Sequence, residues 1–212
     1  MRLVKLLAKY NNLQTASAFV SLFLILFQAA VFAQQFGLQM GETVTQVRSK
    51  GVSLKKDSKN LGWWDTSYLP HGNNSFQDYS LLFGSKAGLC KIIAATPLIE
   101  DSAYGDRTKA KFESLRQALN NRYGEGREYG YLRSGATWSE EHEWMWSIFK
   151  KERVLSAFWG AAGPDINQKN LNAIKLEAMG VSPSSSFIMV SYEFKNIDKC
   201  LNERSAMTDS NL

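Results

Sequence analysis

Cysteine, histidine and proline are scarce in this chain, whose 212 residues include two cysteines, two histidines and four prolines. The two histidines, His71 and His142, do not have the helical spacing that a zinc-protease motif needs, and no Gly-x-Ser-x-Gly motif of a serine hydrolase occurs. Two cysteines as far apart as Cys90 and Cys200 form neither a redox pair nor a metal site. We therefore expect no metal and no cofactor.

Acidic side chains are absent from the first 33 residues. Arg2, Lys5 and Lys9 precede an apolar run over residues 16–33, which ends in Ala-Val-Phe-Ala. A basic start, an apolar centre and small residues at the end are typical of a secretory signal peptide. We predict a signal peptide at 1–33, cleaved after its last alanine. The alternative is an uncleaved membrane anchor, and only such a segment would bring the protein into contact with a membrane.

Most of the net positive charge comes from that first segment, which has no acidic residue. Without its three basic residues the formal net charge of the chain falls from +5 to +2. The remaining lysines and arginines are interleaved with acidic residues and do not form the basic stripe that follows a phosphate backbone. Nucleic acid is therefore not expected as a partner. Subtracting 33 from 212 leaves 179 residues, enough for a single domain, 34–212, that is periplasmic or secreted.

An even pair of cysteines in an exported protein is most simply a disulfide. We predict that Cys90 and Cys200 are bonded to each other. The alternatives are two buried free thiols, or one thiol that pairs with another chain.

Residues 34–75 are predicted to form an N-terminal helix followed by a loop. Thr43 and Gln46 have the spacing of a capping box, and Gly51 stands where the helix would end. The segment reads Phe-Gly, then Met-Gly-x-Thr-x-x-x-Val-x-x-x-Gly. It resembles the opening helix of small outer-membrane-assembly lipoproteins of the SmpA/BamE type, and it is similar to the opening of many other exported bacterial proteins. The resemblance covers this helix alone and implies a protein of the cell envelope.

The stretch 52–74 is predicted to be a loop because lysine, asparagine, glycine and proline cluster in it. It contains two adjacent tryptophans, Trp63 and Trp64. They could form a platform for a ligand, or they could fill the edge of a hydrophobic core.

An antiparallel hairpin is predicted next. Residues 76–83 and 89–95 have strand-like patterns, and a glycine-bounded turn joins them. Strict alternation along the second strand predicts that Cys90 shares a face with Ile92 and Ala94.

Two helices follow the hairpin in the prediction. Residues 106–123 place apolar side chains at helical spacing, and Gly124 supplies a stop. A glycine- and tyrosine-rich loop at 124–135 separates this helix from a second one, which has Ser139 as its N-cap and is apolar on most sides.

Three further strands, at 153–159, 171–178 and 187–194, are predicted to form an antiparallel meander. They complete a core that spans 76–200, and residues 201–212 are predicted to be a flexible tail. The predicted fold class is α+β, with a mainly antiparallel sheet, a hairpin plus a three-strand meander, and helices packed on one face.

Carboxylate pairs are one kind of catalytic candidate in this sequence. Glu140 with Glu143, or Glu100 with Asp101, could perform glycosidase-type chemistry, but such pairs are also typical of helix ends and loops. A Ser-His-Asp triad assembled from loops stays open as well. We assign no catalytic residue.

Tryptophan is abundant, with six in the chain. Five of them lie near predicted loops or helix starts and could form a ligand surface: Trp63, Trp64, Trp138, Trp144 and Trp146. Aromatic faces stack on sugars and peptide side chains, although large aromatics also fill the groove between a helix and a sheet. We predict an exported, non-enzymatic binding or structural protein of the bacterial cell envelope, whose partner is an envelope protein or polysaccharide. The alternative is a hydrolase that acts on an envelope polymer.

Overall fold

In the described part of the chain, nine strands form one open antiparallel sheet. The computed structural model describes residues 34–160, 166 and 169–209, so the signal peptide predicted at 1–33 lies outside the described residues. The order across the sheet is β1-β2-β3-β4-β9-β8-β7-β6, and β5 pairs with β9. The strands are β1 (Lys55–Lys56), β2 (Trp63–Thr66), β3 (Asp78–Gly84), β4 (Gly88–Ala95), β5 (Ile99–Glu100), β6 (Arg127–Leu132), β7 (Arg153–Gly160), β8 (Leu171–Ser182) and β9 (Ser185–Phe194).

The centre of the sheet is where the predicted hairpin meets the predicted meander. β3 pairs with β4, β7 with β8 and β8 with β9, and the two units join where β4 pairs with β9. Across that junction Ile92 lies opposite Tyr192 and Ala94 lies opposite Val190, and all four side chains are buried. These strands bury one set of alternating side chains, as antiparallel strands with a single core-facing side do. The α+β fold class and the mainly antiparallel sheet are confirmed.

Four helices accompany the sheet in the described part of the chain: α1 (Val44–Ser49), α2 (Asp106–Tyr123), α3 (Trp144–Phe149) and α4 (Ile197–Asp209). α1 has the predicted capping box, in which the Gln46 N–H donates to Thr43 Oγ1 at 3.2 Å and the Thr43 N–H donates to Gln46 Oε1 at 2.8 Å. α2 has the predicted bounds. Among the described residues, no helix is both long and apolar enough to span a membrane.

The helices pack against different parts of the sheet. The apolar side of α2, which includes Phe112 and Leu119, joins Leu81 in the main core. α4 packs instead through Ile197 against Leu82, in a separate small cluster. Successive residues of a strand point to opposite faces, so α2 and α4 lie on opposite faces of the sheet. The sequence-based prediction did not include α4.

A β-bulge changes the direction in which Cys90 points, and the prediction for its face was wrong. The pairing of β3 with β4 shifts register between Leu82 and Phe83, and Cys90 is the extra residue. Cys90 therefore packs beside Leu82, whereas Leu89 takes its place on the core face next to Ile92.

A disulfide joins Cys90 to Cys200, as predicted. The two Cα atoms are 6.4 Å apart, and the cysteines are 110 residues apart in the sequence. Both side chains are buried, and the bond ties α4 to β4 near the middle of the sheet. Disulfides persist in oxidising compartments, so this one indicates a protein outside the cytoplasm.

Two stretches predicted as loops contain strands, and those predictions were wrong. β1 and β2 lie within 52–74, and β6 lies within 124–135. None of the side chains of β6 is fully buried, because it is an edge strand. Backbone pairing with β7 holds it in place, so no apolar periodicity marked it in the sequence.

α3 follows a turn of 3₁₀-helix at Glu141–Glu143, and the cap predicted for Ser139 belongs to Glu140. The Glu143 carboxylate accepts from the backbone N–H groups of Glu140, at 3.2 Å, and Ser139, at 3.0 Å. The apolar side of α3 is buried through Trp144, Met145 and Ile148, and Leu155 of β7 packs against it.

Candidate functional site

A cavity of about 350 Å³ lies between α2 and the sheet, and we call it the helix–sheet cavity. α2 lines it with Leu115, Ala118, Leu119 and Arg122, because residues three and four apart share one side of a helix. From the sheet, β8 and β9 contribute Leu176, Val190 and Tyr192. The cavity is thus apolar on its helix side and on most of its sheet side.

Tyr192 supplies a buried polar group to this apolar wall. Its side chain is 6% exposed, and its hydroxyl has no hydrogen-bond partner among the residues that the structure describes. Burial raises the pKa of Tyr192 far above its ordinary value, and the nearby Tyr123 acts in the same direction. The hydroxyl therefore stays protonated. Because Tyr192 lines the cavity, its hydroxyl can donate a hydrogen bond to a ligand oxygen or nitrogen there.

Tyr123 lies next to Tyr192, with 6.3 Å between the ring centroids. Its hydroxyl donates to Gln35 Oε1 at 2.8 Å, and burial raises the pKa of Tyr123 as well. The amide nitrogen of Gln35 is buried and has no hydrogen-bond partner in the described chain. Gln35, Tyr123 and Tyr192 therefore form a polar group beside the cavity, and the Gln35 amide nitrogen is the member of this group that is buried without a hydrogen-bond partner in the described chain.

The mouth of the helix–sheet cavity is polar. His71, Asn73 and Arg122 line it with exposed side chains. The Arg122 guanidinium lies 5.4 Å from the centroid of the Tyr123 ring, and within the described chain no carboxylate pairs with it. The arrangement favours a ligand whose apolar part enters the cavity and whose polar or anionic part stays at the mouth.

Phe36 forms one wall with an unusual backbone conformation, a φ of +54°. Side chains larger than that of glycine are uncommon there. The ring makes edge contacts with Phe76 at 5.8 Å, Tyr79 at 5.4 Å and Tyr192 at 5.5 Å between centroids. These contacts hold Phe36 in the strained conformation and fix its ring at the cavity.

None of the five tryptophans of the predicted ligand surface lines the helix–sheet cavity. Trp63 and Trp64 are neighbours in β2 and pack against different clusters. Trp144 is buried in α3. Trp138 and Trp146 stack on each other, with centroids 4.8 Å apart and planes 17° apart.

The two histidines have different surroundings. His71 lines the mouth of the helix–sheet cavity, whereas His142 is an exposed residue of the turn before α3. Among the described residues, no group of three or more His, Cys, Asp or Glu side chains could hold a metal ion.

The carboxylate pairs considered for catalysis take part in local structure. Glu140 and Glu143 form the capping box before α3. Asp101 caps α2, whose own N-cap, Gly105, has no side chain. The Asp101 carboxylate accepts from the N–H groups of Arg107, at 3.2 Å, and Thr108, at 2.7 Å.

Replacing Asp101 with alanine is expected to lower the free energy of unfolding by about 1–2 kcal/mol, as loss of a helix cap does. Burial raises the pKa of Asp101, but the hydrogen bonds from Thr108, Arg107 and Ser102 outweigh it and lower the pKa below its ordinary value. A lowered folded-state pKa stabilises the fold above about pH 4, and this contribution is lost as the pH falls through the folded-state pKa.

Urea unfolding of the wild type and the Asp101→Ala variant at a series of pH values measures this effect. The difference between the two proteins should shrink as the pH is lowered below about 4. Asp78→Ala, which removes an exposed carboxylate at the start of β3, is the matched control. A difference that does not change with pH would contradict the capping role.

Sequence reasoning missed most of the cavity. Tyr192 lies in the strand predicted at 187–194, and Leu115 and Leu119 lie in the helix predicted at 106–123, but neither pattern indicates a cavity. The one sequence signal of a polar group in the cavity was the hydroxyl of Tyr192, which lies among the apolar residues of that strand. Phe36 gave no signal, because it meets Tyr192 only in the folded chain.

The fold and its disulfide define a disulfide-bonded α+β protein with an open antiparallel sheet and an internal cavity. Comparisons with protein-family models, with curated proteins and with solved structures gave no match.

Proposed function

We propose that this is an exported, non-enzymatic binding protein of the bacterial cell envelope, periplasmic or secreted, which holds a small ligand or part of a partner in the helix–sheet cavity. The observation that carries the proposal is the unpartnered hydroxyl of Tyr192 in the wall of that cavity. Ligand sites are typically concave and mostly apolar, with a few polar groups that fix orientation.

The chemistry of the walls defines the ligand. Leu115, Leu119 and Val190 provide contacts for an apolar body. Tyr192 can donate a hydrogen bond inside, and Arg122 can pair with a negative charge at the mouth. A volume of about 350 Å³ is at the small end of the range for ligand pockets. The ligand is therefore a small amphiphile, or an apolar group presented by an envelope protein or polysaccharide.

Binding is favoured over hydrolysis of an envelope polymer. Retaining and inverting glycosidases need two carboxyl groups that flank the scissile bond. The pairs that the sequence offered, Glu140 with Glu143 and Glu100 with Asp101, belong to helix caps and a strand end. No carboxylate is among the residues that line the helix–sheet cavity.

A cell-envelope location rests on two observations. The disulfide between Cys90 and Cys200 forms in an oxidising compartment. The segment 1–33 has the composition of a secretory signal.

Filling the mouth of the cavity tests the proposal. Ala118 is an exposed cavity residue on α2, so Ala118→Phe should block the entrance without disturbing the core. The probe is 8-anilinonaphthalene-1-sulfonate, an aromatic anion whose fluorescence reports transfer to an apolar site. We expect the wild type to bind it and Ala118→Phe to bind about tenfold more weakly, a loss of about 1.4 kcal/mol.

Ala110→Phe makes the same change on the same helix, at an exposed position outside the cavity, and should bind the probe like the wild type.

Tyr192→Phe should weaken binding of the probe several-fold. It should leave the free energy of unfolding unchanged or higher, because the lost hydroxyl has no partner in the described chain. If Ala118→Phe and Ala110→Phe bound the probe equally well, the helix–sheet cavity would be rejected as the binding site. Release of reducing ends from purified peptidoglycan, abolished by His71→Ala, would establish the hydrolase class instead.

A further inference from the structure

A second cavity, of about 150 Å³, lies beside the end of α3, and we call it the basic cavity. Three cationic side chains line it: Arg133 directly follows β6, Lys151 lies in the turn between α3 and β7, and Arg153 is the first residue of β7. The basic cavity shares no lining residue with the helix–sheet cavity.

None of the carboxylates among the described residues pairs with these three cations. Glu177 also lines the basic cavity, but it pairs with Lys175 Nζ at 2.6 Å. The Glu152 carboxylate accepts from the N–H groups of Thr137, at 2.7 Å, and Trp138, at 2.9 Å. The cavity therefore has a local excess of positive charge.

Arg153 is the least exposed of the three cations. Its Nε–H donates to Ser147 Oγ at 2.9 Å, and the structure shows no other acceptor for its guanidinium within the described chain. Burial lowers the pKa of Arg153, but arginine remains charged in proteins. The remaining N–H groups of the guanidinium form a planar fork, which matches the oxygens of a phosphate or carboxylate.

Lys151 occupies a backbone position that usually belongs to glycine. The Lys151 N–H donates to the Ile148 carbonyl at 3.0 Å and the Glu152 N–H donates to the Ser147 carbonyl at 2.8 Å, the pattern of a Schellman motif at the end of α3. Lys151 is its left-handed residue, with a φ of +59°. A lysine there is strained relative to glycine, and it places a cation at the cavity. Backbone strain of this kind occurs at ligand sites.

We infer that the basic cavity binds a phosphate group, either as free phosphate or as the headgroup of a phospholipid. The three cations attract the negative charge of a phosphate, and the arginine forks match its oxygens. The volume is several times that of one water molecule in the liquid, about 30 Å³, so a phosphate fits together with water. The inference uses none of the residues of the proposed ligand site and does not depend on it.

Calorimetric titration of inorganic phosphate into the full-length, disulfide-bonded protein tests the inference, with sodium chloride holding the ionic strength constant. We expect a dissociation constant in the low millimolar range or tighter. Lys151→Gly and Arg133→Gln should each weaken binding about tenfold, the effect of one hydrogen bond to a charged group. Lys151→Gly should also fold at least as stably as the wild type, since glycine suits the left-handed position.

Lys150→Gln is the matched control. It removes the same charge from the neighbouring residue, which contacts the Trp146 and Phe149 rings and does not line the basic cavity, so its affinity should stay within about twofold of the wild type. A second arm measures binding to phosphatidylcholine vesicles with and without phosphatidylglycerol. If the protein binds vesicles that contain phosphatidylglycerol but does not bind free phosphate, and if Lys151→Gly abolishes this binding, the site is assigned to a lipid headgroup.

Two results would overturn the inference. One is the absence of binding to both free phosphate and phosphatidylglycerol vesicles. The other is an equal loss of phosphate affinity in Lys151→Gly and Lys150→Gln, since the affinity would then depend on the net charge of the protein and not on the basic cavity.

Discussion

Replacing Cys90 and Cys200 together with alanine is expected to lower the free energy of unfolding by about 4–5 kcal/mol. The disulfide closes a loop of 110 residues, and a loop of that length removes about this much chain entropy from the unfolded state. Typical domains are stable by about 5–15 kcal/mol, so the variant should be only marginally folded. Alanine leaves no free thiol and no buried hydroxyl at either position.

Urea unfolding with and without a reducing agent measures the effect. Reduction should shift the unfolding midpoint of the wild type to near that of the double variant and should leave the variant unchanged. The amides of α4 should exchange faster in the variant, because the small cluster around Ile197 and Leu82 then holds the helix without a covalent link. A wild type that is insensitive to the reducing agent in the unfolding experiment would contradict this account. Non-reducing peptide mapping should find Cys90 joined to Cys200.

Replacing Gly105 with alanine is expected to lower the free energy of unfolding by about 3–4 kcal/mol. Gly105 precedes α2 with a φ of +72°, where a side chain costs about 1–2 kcal/mol. A methyl group at this position would also overlap the ring of Trp144. That ring is 6% exposed, so it cannot move aside without disturbing the core, and overpacking adds about 1–3 kcal/mol.

Gly51→Ala separates the two effects. Gly51 has a φ of +83°, and an added methyl group there would meet no atom within 4 Å, so only the backbone cost of about 1–2 kcal/mol remains. Urea unfolding followed by tryptophan fluorescence gives both values. Equal losses in the two variants would show that the Trp144 ring yields to the methyl group, and the packing argument would then be wrong.

Elements with strong local signals were predicted accurately. The apolar face of α2 recurs at helical spacing and Gly124 ends the helix, so its bounds follow from the nearest residues. The stripes of β8 and β9, with Leu176 and Val190, alternate because those strands lie in the middle of the sheet and bury one side.

Elements stabilised by distant residues were not predicted. β6 is an edge strand held by β7, and its glycine and tyrosines carry no apolar alternation. The cap of α2 comes from Asp101, five residues before the start of the helix at Asp106, so a search for a side chain at the N-cap position does not find it.

The sequence by itself determined the α+β class, the hairpin, the long helix, the meander and the pairing of the two cysteines, because these depend on local periodicity, turn residues and the number of thiols. Only the tertiary structure decided which face of β4 carries Cys90, since a bulge is a property of two strands in register. It also decided where the cavities lie and which side chains reach them. Phe36, Arg122 and Tyr192 are far apart in the chain, and only the packing of α2 and of the N-terminal segment against the sheet brings them to one site.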